Sequence, residues 1–250
     1  MKKIIAAGKF LVRTFLALTP QGRAYYARRQ EAQRKECSRV LLERGPDILR
    51  KVHEAFNKEA ITYFVTDGTL LGVIREGGIL KHDIDIDFAI PPNAVTPKRV
   101  LEIAESLGFE FFWAWTYDGK VSTMAFNYQD VHVDFDFLEV GDSAGKETWR
   151  QIWFTKLDGV KYEKGDRAWS AVCLPPRPCV RTVVTRKLTE CDVVVSVPEN
   201  CDEYLTAEYG LWRQPDPQFR ERNVGRVSQG RKILPLPGVR ISRQKILEMM

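Results

Sequence analysis

Residues 67–88 read DGTLLGVIREGGILKHDIDIDF, and this stretch decides the fold of the 250-residue chain. Near its end three aspartates alternate with three apolar residues: Asp83, Ile84, Asp85, Ile86, Asp87 and Phe88. Because successive side chains of a β-strand point to opposite faces, this pattern predicts a strand with its carboxylates on one face. An exposed edge strand with solvated charges is the alternative, but the apolar run continues through Ala89 and Ile90, which favours burial.

The three carboxylates of this strand predict a metal site. Like charges at this spacing repel one another, and a protein seldom keeps them together without a cation. Hard oxygen ligands suit Mg²⁺ or Mn²⁺, and these ions in turn suit phosphates.

A second strand with an acidic face is predicted at residues 131–138. One face carries only apolar residues, and the other carries His132, Asp134 and Asp136. Two neighbouring acidic strands would hold a divalent ion between them, as two-metal phosphoryl-transfer sites do. Amphipathic strands with two acidic residues are common, so this pattern alone is weak evidence for a metal site. Because a first acidic strand precedes it, we expect it to supply a further metal ligand.

The segment before the first acidic strand predicts a phosphate-binding turn. Gly68 and Thr69 open a short helix after an apolar strand at 61–65. Such a pair leaves backbone N–H groups and a hydroxyl for a phosphate, and glycine lets the backbone come close to the ligand. Arg75 could clamp a phosphate oxygen. A helix capped by Asp67 that binds no ligand remains the alternative.

Together these residues resemble the LicD/fukutin family of the nucleotidyltransferase superfamily. The sequence 67–88 is similar to its signature, in which a GTLLG-type segment and an Arg precede an aspartate cluster. Residues 197–215 resemble its closing segment, so the likeness spans roughly 63–215. Two positions depart from the pattern: Lys81-His82 stands where many bacterial members have Pro-Trp, and Ile84 stands where they often have a further Asp.

The resemblance implies an α+β fold, a nucleotidyltransferase-like mixed sheet flanked by helices, here with a helical N-terminal segment. It implies transfer of phosphocholine or a polyol phosphate from a CDP-linked donor to a hydroxyl of a cell-surface glycan or its lipid-linked precursor, releasing CMP. In such chemistry the protein mainly positions groups and neutralises developing charge. Two alternatives stay open: a nucleotidyltransferase that moves NMP from an NTP, and a non-catalytic glycan-binding module.

The residues expected at this site fall into overlapping sets. The metal ligands for Mg²⁺ (or Mn²⁺) are Asp83, Asp85, Asp87 and Asp134. The catalytic residues are Asp85, Asp87, Asp134 and Asp136. The phosphate-binding residues are Gly68, Thr69, Arg75 and His82. An acceptor hydroxyl also needs a group that takes its proton, for which we expect Asp136 or Asp134, with His132 as the alternative.

Charge divides the chain into three parts. Residues 1–51 carry a net charge of +9 and residues 219–250 a net charge of +6, so the centre carries −10 of the total of +5. We predict a basic helical N-terminal segment (1–58), a catalytic domain (59–218) and a basic C-terminal tail with little core of its own (219–250). Basic ends on an acidic body are typical of an enzyme that works at an anionic surface.

The same composition narrows the partners and the location. Nucleic acid is not expected as a partner, because the basic ends lack interleaved aromatics and no recognition motif occurs. No run of 18 uncharged apolar residues occurs, so no transmembrane helix is predicted. An amphipathic basic helix before Pro20 either contacts the inner membrane face peripherally or packs on the domain. Five cysteines without a C-x-x-C pair favour free thiols in a reducing, cytoplasmic compartment over a zinc site.

The remaining pattern predicts helices at 23–58, broken at Gly45-Pro46, and at 98–107 and 202–209. Strands are expected at 182–187 and 193–197. Strands 109–117 and 120–128 should form a hairpin that turns at Asp118-Gly119. The aromatic residues of this hairpin either stack on a base or sugar or belong to the core.

Overall fold

The structure is a computed structural model of the chain, described over residues 19–155, 168–216 and 232–249. The predicted α+β class is confirmed. The helices are α1 (Pro20–Lys58), α2 (Asp67–Arg75), α3 (Pro97–Ser106), α4 (Cys201–Tyr209) and α5 (Arg243–Leu247). The amphipathic helix predicted before Pro20 lies outside the described residues.

The strands form one large sheet and two small ones. They are β1 (Phe64–Val65), β2 (Asp85–Ile90), β3 (Glu110–Tyr117), β4 (Lys120–Tyr128), β5 (Val131–Phe137), β6 (Glu139–Ser143), β7 (Lys146–Arg150), β8 (Ile152–Thr155), β9 (Ala168–Cys173), β10 (Arg177–Pro178), β11 (Val183–Lys187), β12 (Val194–Pro198) and β13 (Lys232–Ile241). The large sheet has the order β1-β2-β5-β4-β3-β13-β9-β8. Its β2–β5 pair is parallel and its other neighbouring pairs are antiparallel, so the sheet is mixed as predicted.

The apolar face of the two acidic strands is the centre of the core. Ile86, Phe88 and Val133 are completely buried, and the rings of Phe88 and Phe135 stack 5.1 Å apart. Helix α1 packs on this face, where the ring centres of Phe56 and Phe135 lie 5.8 Å apart. Burial of one face against α1 fixes the register, and it leaves the opposite face for the carboxylates.

Helix α1 is continuous through Pro46, so the predicted break at Gly45-Pro46 is wrong. Leu41, Ile48 and Leu49 are fully buried on both sides of the proline. A Cβ at Gly45 would lie 2.4 Å from the Ile79 side chain, which shows how closely the helix approaches the domain here. Packing on both sides of Pro46 compensates for the hydrogen bond that its nitrogen cannot donate.

The C-terminal residues complete the large sheet. Strand β13 lies between β3 and β9, and Ile246 of α5 is fully buried. The expected tail with little core is therefore wrong for residues 232–249. Two prolines concealed this strand from the sequence pattern, because proline is normally confined to edges and bulges. Here the pairing with β9 shifts register between Ile233 and Pro237, which accommodates them.

Two further predictions concern the cysteines and membrane-spanning helices. The five cysteines are all free thiols. Among residues 19–155, 168–216 and 232–249, no helix combines the length and apolarity needed to cross a bilayer.

Candidate active site

The carboxylates of β2 and β5 lie side by side because the two strands are parallel. In their register Asp87 faces Asp134, Asp85 faces His132 and Ala89 faces Asp136. Asp83 immediately precedes β2. We call Asp83, Asp85, Asp87 and Asp134 the acidic ladder; all four are half-buried. The predicted convergence of two acidic strands is thus present in the backbone pairing.

Burial and mutual repulsion raise the pKa values of three ladder residues. The pKa of Asp85 rises to about 7, first because of burial and then because of the charges of Asp83 and Asp134. Burial is also the largest cause for Asp87, whose pKa lies well above its usual range, with further contributions from Asp85, Asp67 and Asp134. Burial likewise raises the pKa of Asp83. Such an excess of one charge is what a cation would relieve.

The ladder fits a hard divalent cation by donor type and charge. Its donors are carboxylate oxygens, as Mg²⁺ and Mn²⁺ prefer. One of them, Asp83 Oδ2, is buried without a hydrogen-bond partner. Within the described residues, however, no three His, Cys, Asp or Glu side chains are arranged as a formed metal cluster. The backbone therefore brings the ligands together, and the side chains do not yet converge on one point.

The N-cap Thr66 and the first turn of α2 hold the backbone of Asp87 on both sides. Thr66 N–H donates to the Asp87 carbonyl (3.0 Å), and the Asp87 N–H donates to Thr69 Oγ1 (3.0 Å). A Cβ at Gly68 would lie 2.4 Å from Asp83 Oδ2, so only glycine fits against the ladder at this position. The Gly-Thr pair is thus in contact with the acidic strand, and the Thr69 hydroxyl, 3% exposed, serves as an acceptor there.

Asp67, the first residue of α2, has both carboxylate oxygens engaged. Gln151 Nε2 donates to Asp67 Oδ2 (3.2 Å) and also to Asp136 Oδ2 (2.5 Å). Arg177 Nη2 donates to Asp67 Oδ1 (3.0 Å). Asp136 itself is only 6% exposed, and burial raises its pKa well above the usual range. Asp136 therefore lies beneath the site, connected to Asp67 through Gln151.

Arg177 of β10 joins two distant parts of the chain, the start of α2 and helix α4. Its Nη1 donates to Thr66 Oγ1 (3.0 Å) and to Tyr204 OH (2.8 Å), and its Nη2 lies 3.2 Å from Glu208 Oε1. The guanidinium also lies 5.1 Å from the centre of the Tyr204 ring. We call Thr66, Asp67, Gln151, Arg177, Tyr204 and Glu208 the Arg177 cluster.

The other predicted phosphate ligands lie near the ladder in sequence but have different surroundings. Arg75, at the end of α2, donates to the Trp212 carbonyl (3.3 Å) and to Glu76 (2.8 Å). Its Nε is buried without a hydrogen-bond partner. His82 is exposed, and its backbone carbonyl accepts from Arg34 (3.4 Å).

An aromatic surface adjoins the ladder at His132. The His132 ring lies 5.9 Å from the rings of both Phe112 and Trp113, and its Nε2 lies 3.1 Å from Asp134 Oδ1. The pairing of β3 with β4 shifts register between Phe111 and Trp113, and a bulge of this kind re-aims side chains beside active sites. Phe112 is 57% exposed, which is unusual for so large an apolar residue. We call Phe112, Trp113 and His132 the aromatic shelf.

Comparison with known families agrees with this geometry. Residues 60–166 match the nucleotidyltransferase domain of the LicD/FKTN/FKRP family. Over these residues the chain is similar to this family. LicD proteins are generally transferases, and the matched region contains the first turn of α2, the acidic ladder and the aromatic shelf.

Two curated relatives match a short part of the chain. An uncharacterized protein of Rickettsia prowazekii is 31% identical over 72 residues, 28% of this chain and 27% of its own length. An uncharacterized protein of Rickettsia typhi is 32% identical over 63 residues, 25% of this chain and 20% of its own length. The chain thus spans about a quarter of the length of these relatives.

Part of the Arg177 cluster lies beyond the LicD match. Arg177 had no signal in the sequence, since a single arginine between prolines fits no motif. Tyr204 and Glu208 carried a weak signal, because residues four apart share one face of a helix. Gln151 was also missed, because its partners are distant in the chain and only the folded structure brings them together.

Proposed function

We propose that this chain transfers a substituted phosphate from a CDP-linked donor to a hydroxyl of a glycan or its lipid-linked precursor, in a reaction that depends on Mg²⁺ or Mn²⁺. The observation that carries the proposal is the pairing of Asp87 with Asp134 in a ladder of repelling carboxylates. Repulsion of this kind costs stability, and binding of a cation that a diphosphate can share would relieve it.

The ladder residues have distinct proposed roles. Asp85, Asp87 and Asp134 would hold the cation, with Asp83 beside them. When bound, the ion would neutralise charge on the oxygens of the diphosphate. Gly68, half-buried beside the ladder, would lie against a phosphate, and the Arg75 guanidinium would donate to it. His82, exposed at the entrance of β2, would contribute a further contact.

Proton removal from the acceptor hydroxyl is assigned to Asp134 and His132. Of the two aspartates expected for this task, Asp134 is half-buried whereas Asp136 is almost inaccessible and bonded to Gln151. Burial lowers the pKa of His132, but its contact with Asp134 outweighs this effect and raises it, so the pair can share a proton. Asp136 then acts by holding the site in place.

The test is product analysis with a panel of CDP-choline, CDP-ribitol and CDP-glycerol, with Mg²⁺ and a glycan acceptor. We expect CMP release with one donor, none in excess chelator, and loss of release in Asp85→Ala or Asp87→Ala. Asp192→Ala is the matched control, because this aspartate is 92% exposed and outside the site. Pyrophosphate release from an NTP would indicate nucleotidyl transfer instead, and glycan binding without metal binding would indicate a binding module.

The same panel in a thermal-shift assay identifies the donor without an acceptor. A ligand present at a hundred times its dissociation constant stabilises a protein by about 2.7 kcal/mol. A shift that needs both Mg²⁺ and one CDP compound would name the cargo. No shift with any of them would contradict the proposed donor class.

We also propose that the basic ends hold the enzyme peripherally at the inner membrane face. The support is the net charge of +9 on residues 1–51 and of +6 on residues 219–250. Co-sedimentation with vesicles should rise with their content of anionic lipid and fall with salt. Equal binding to neutral vesicles would contradict this proposal.

A further inference from the structure

The Arg177 cluster is the second concentration of charge in the described part of the chain, and it does not face solvent. Arg177 is 2% exposed, Tyr204 0% and Gln151 1%. A guanidinium so deeply buried cannot reach a substrate, so its role must be exerted through its neighbours. Both terminal nitrogens of Arg177 donate hydrogen bonds to the start of α2: Nη1 to Thr66 and Nη2 to Asp67.

This turn is strained and needs external support. Asp67 has a φ of 49°, in the left-handed region that non-glycine residues rarely adopt. Such conformations persist only where the surroundings determine them. Here Gln151 holds one oxygen of Asp67 and Arg177 holds the other. The N-cap of α2, Thr66, has no side-chain hydrogen bond to its own helix, because its hydroxyl is engaged by Arg177 and Tyr204.

The turn 66–69 then fixes the backbone position of Asp87. Thr66 and Thr69 hold the carbonyl and the N–H of Asp87, so a shift of the turn would move this residue along the ladder. Arg177, Tyr204 and Glu208 lie outside the matched residues 60–166. The motif alone therefore lacks the groups that hold its own turn in place.

We propose that Arg177, with Tyr204 and Glu208, is a positioning residue that fixes the turn 66–69 and through it Asp87. The proposal makes a segment beyond the matched residues 60–166 part of the active site, although it touches no substrate. Its consequence for turnover rests on the proposed function, whereas its consequence for the turn does not.

The test measures the turn directly, by hydrogen exchange of the full-length chain in Arg177→Lys and Tyr204→Phe. Lysine keeps the charge but cannot form the fork, and phenylalanine keeps the ring but loses the hydroxyl. We expect amides 66–70 to exchange about tenfold faster in each, the usual effect of one buried hydrogen bond on a local opening. Ile246→Ala is the control, since it opens a cavity in α5, which packs on α3 and β3.

Turnover supplies the second measurement, made well below the melting temperature of each variant. We expect kcat to fall by about 10²-fold in Arg177→Lys, the scale of a 1 Å misplacement, and to fall by a larger factor than KM for the donor rises. Ile246→Ala should keep the wild-type kcat.

Unchanged exchange at 66–70 in both variants would overturn the proposal, and so would faster exchange with an unchanged kcat. If Arg177→Lys does not fold, Tyr204→Phe decides alone. If the wild type itself releases no CMP, the proposed function fails, and the exchange rates then decide the positioning role by themselves.

Discussion

The acidic ladder and the Arg177 cluster both concentrate charge in the same small region, but they are built in opposite ways. The ladder is half-exposed and of one sign, and its members raise one another's pKa values. The Arg177 cluster is buried and of mixed sign, with both oxygens of Asp67 hydrogen-bonded. A protein that leaves like charges together near solvent reserves them for a ligand, whereas a buried ion pair with its hydrogen bonds made fixes a geometry.

The two regions should therefore respond in opposite ways to loss of a carboxylate. The largest effect is expected on turnover in Asp87→Asn. Loss of a charged group that acts on the transferred phosphate should lower kcat by about 10³-fold or more. The fold should survive, because the substitution relieves repulsion. CMP release and the melting temperature measure the two effects, and Asp192→Asn controls for net charge.

In the Arg177 cluster the same kind of change should destabilise the fold. Burial disfavours the charged form of Asp67, but Arg177 and the hydrogen bonds of Glu208 and Gln151 together outweigh burial and lower its pKa, so Asp67→Asn leaves a buried cation short of its partner. We expect a loss of about 3–5 kcal/mol in urea unfolding. Burial raises the pKa of Glu208 well above its usual range, which disfavours its charged form, so Glu208→Gln should cost less, about 1 kcal/mol. Equal losses would contradict this assignment of charge.

A substitution in the aromatic shelf tests whether the base of the donor binds there, beyond the ladder. If the base of the donor stacks there, Phe112→Ala should raise KM for the donor about tenfold with little change in kcat, since one stacked base is worth about 1–3 kcal/mol. Tyr25→Ala is the control, because Tyr25 is equally exposed at 57% but lies near the start of α1. An unchanged KM would assign the shelf to the core or to the acceptor.

The smallest effect is on stability as a function of pH. Because the pKa of Asp85 is raised to about 7, the folded state holds this proton more tightly than the unfolded state does. Its contribution is complete below the ordinary pKa of about 3.9 and is lost as pH rises through about 7. The full shift would correspond to about 4 kcal/mol, and screening by solvent at this half-buried group reduces it to about 1 kcal/mol. In chelator, Asp85→Asn should therefore melt close to wild type at pH 4 and about 2–4 °C higher above pH 7. A difference that does not change with pH would contradict the raised pKa.

Local sequence patterns predicted those parts of the fold and of the site that follow from the alternation of side chains along a strand and from short turns. The alternation of β2 and β5 and the hairpin at Asp118-Gly119 are confirmed because each follows from residues close in sequence. Long-range pairing escaped prediction. Packing at Gly45 overrode the expected effect of Pro46, and β13 enters the sheet with prolines at its irregular pairing with β9. Arg177 and Gln151 were missed because their role exists only after β7, β10 and α4 come together.

The central claim is that the ladder binds a divalent cation, and calorimetric titration of Mg²⁺ or Mn²⁺ into the metal-free protein tests it most directly. Wild type and Asp192→Asn should show the same saturable binding, which Asp87→Asn should lose while its fold is retained. Absence of binding to the wild type, or equal binding to Asp87→Asn, would contradict the account.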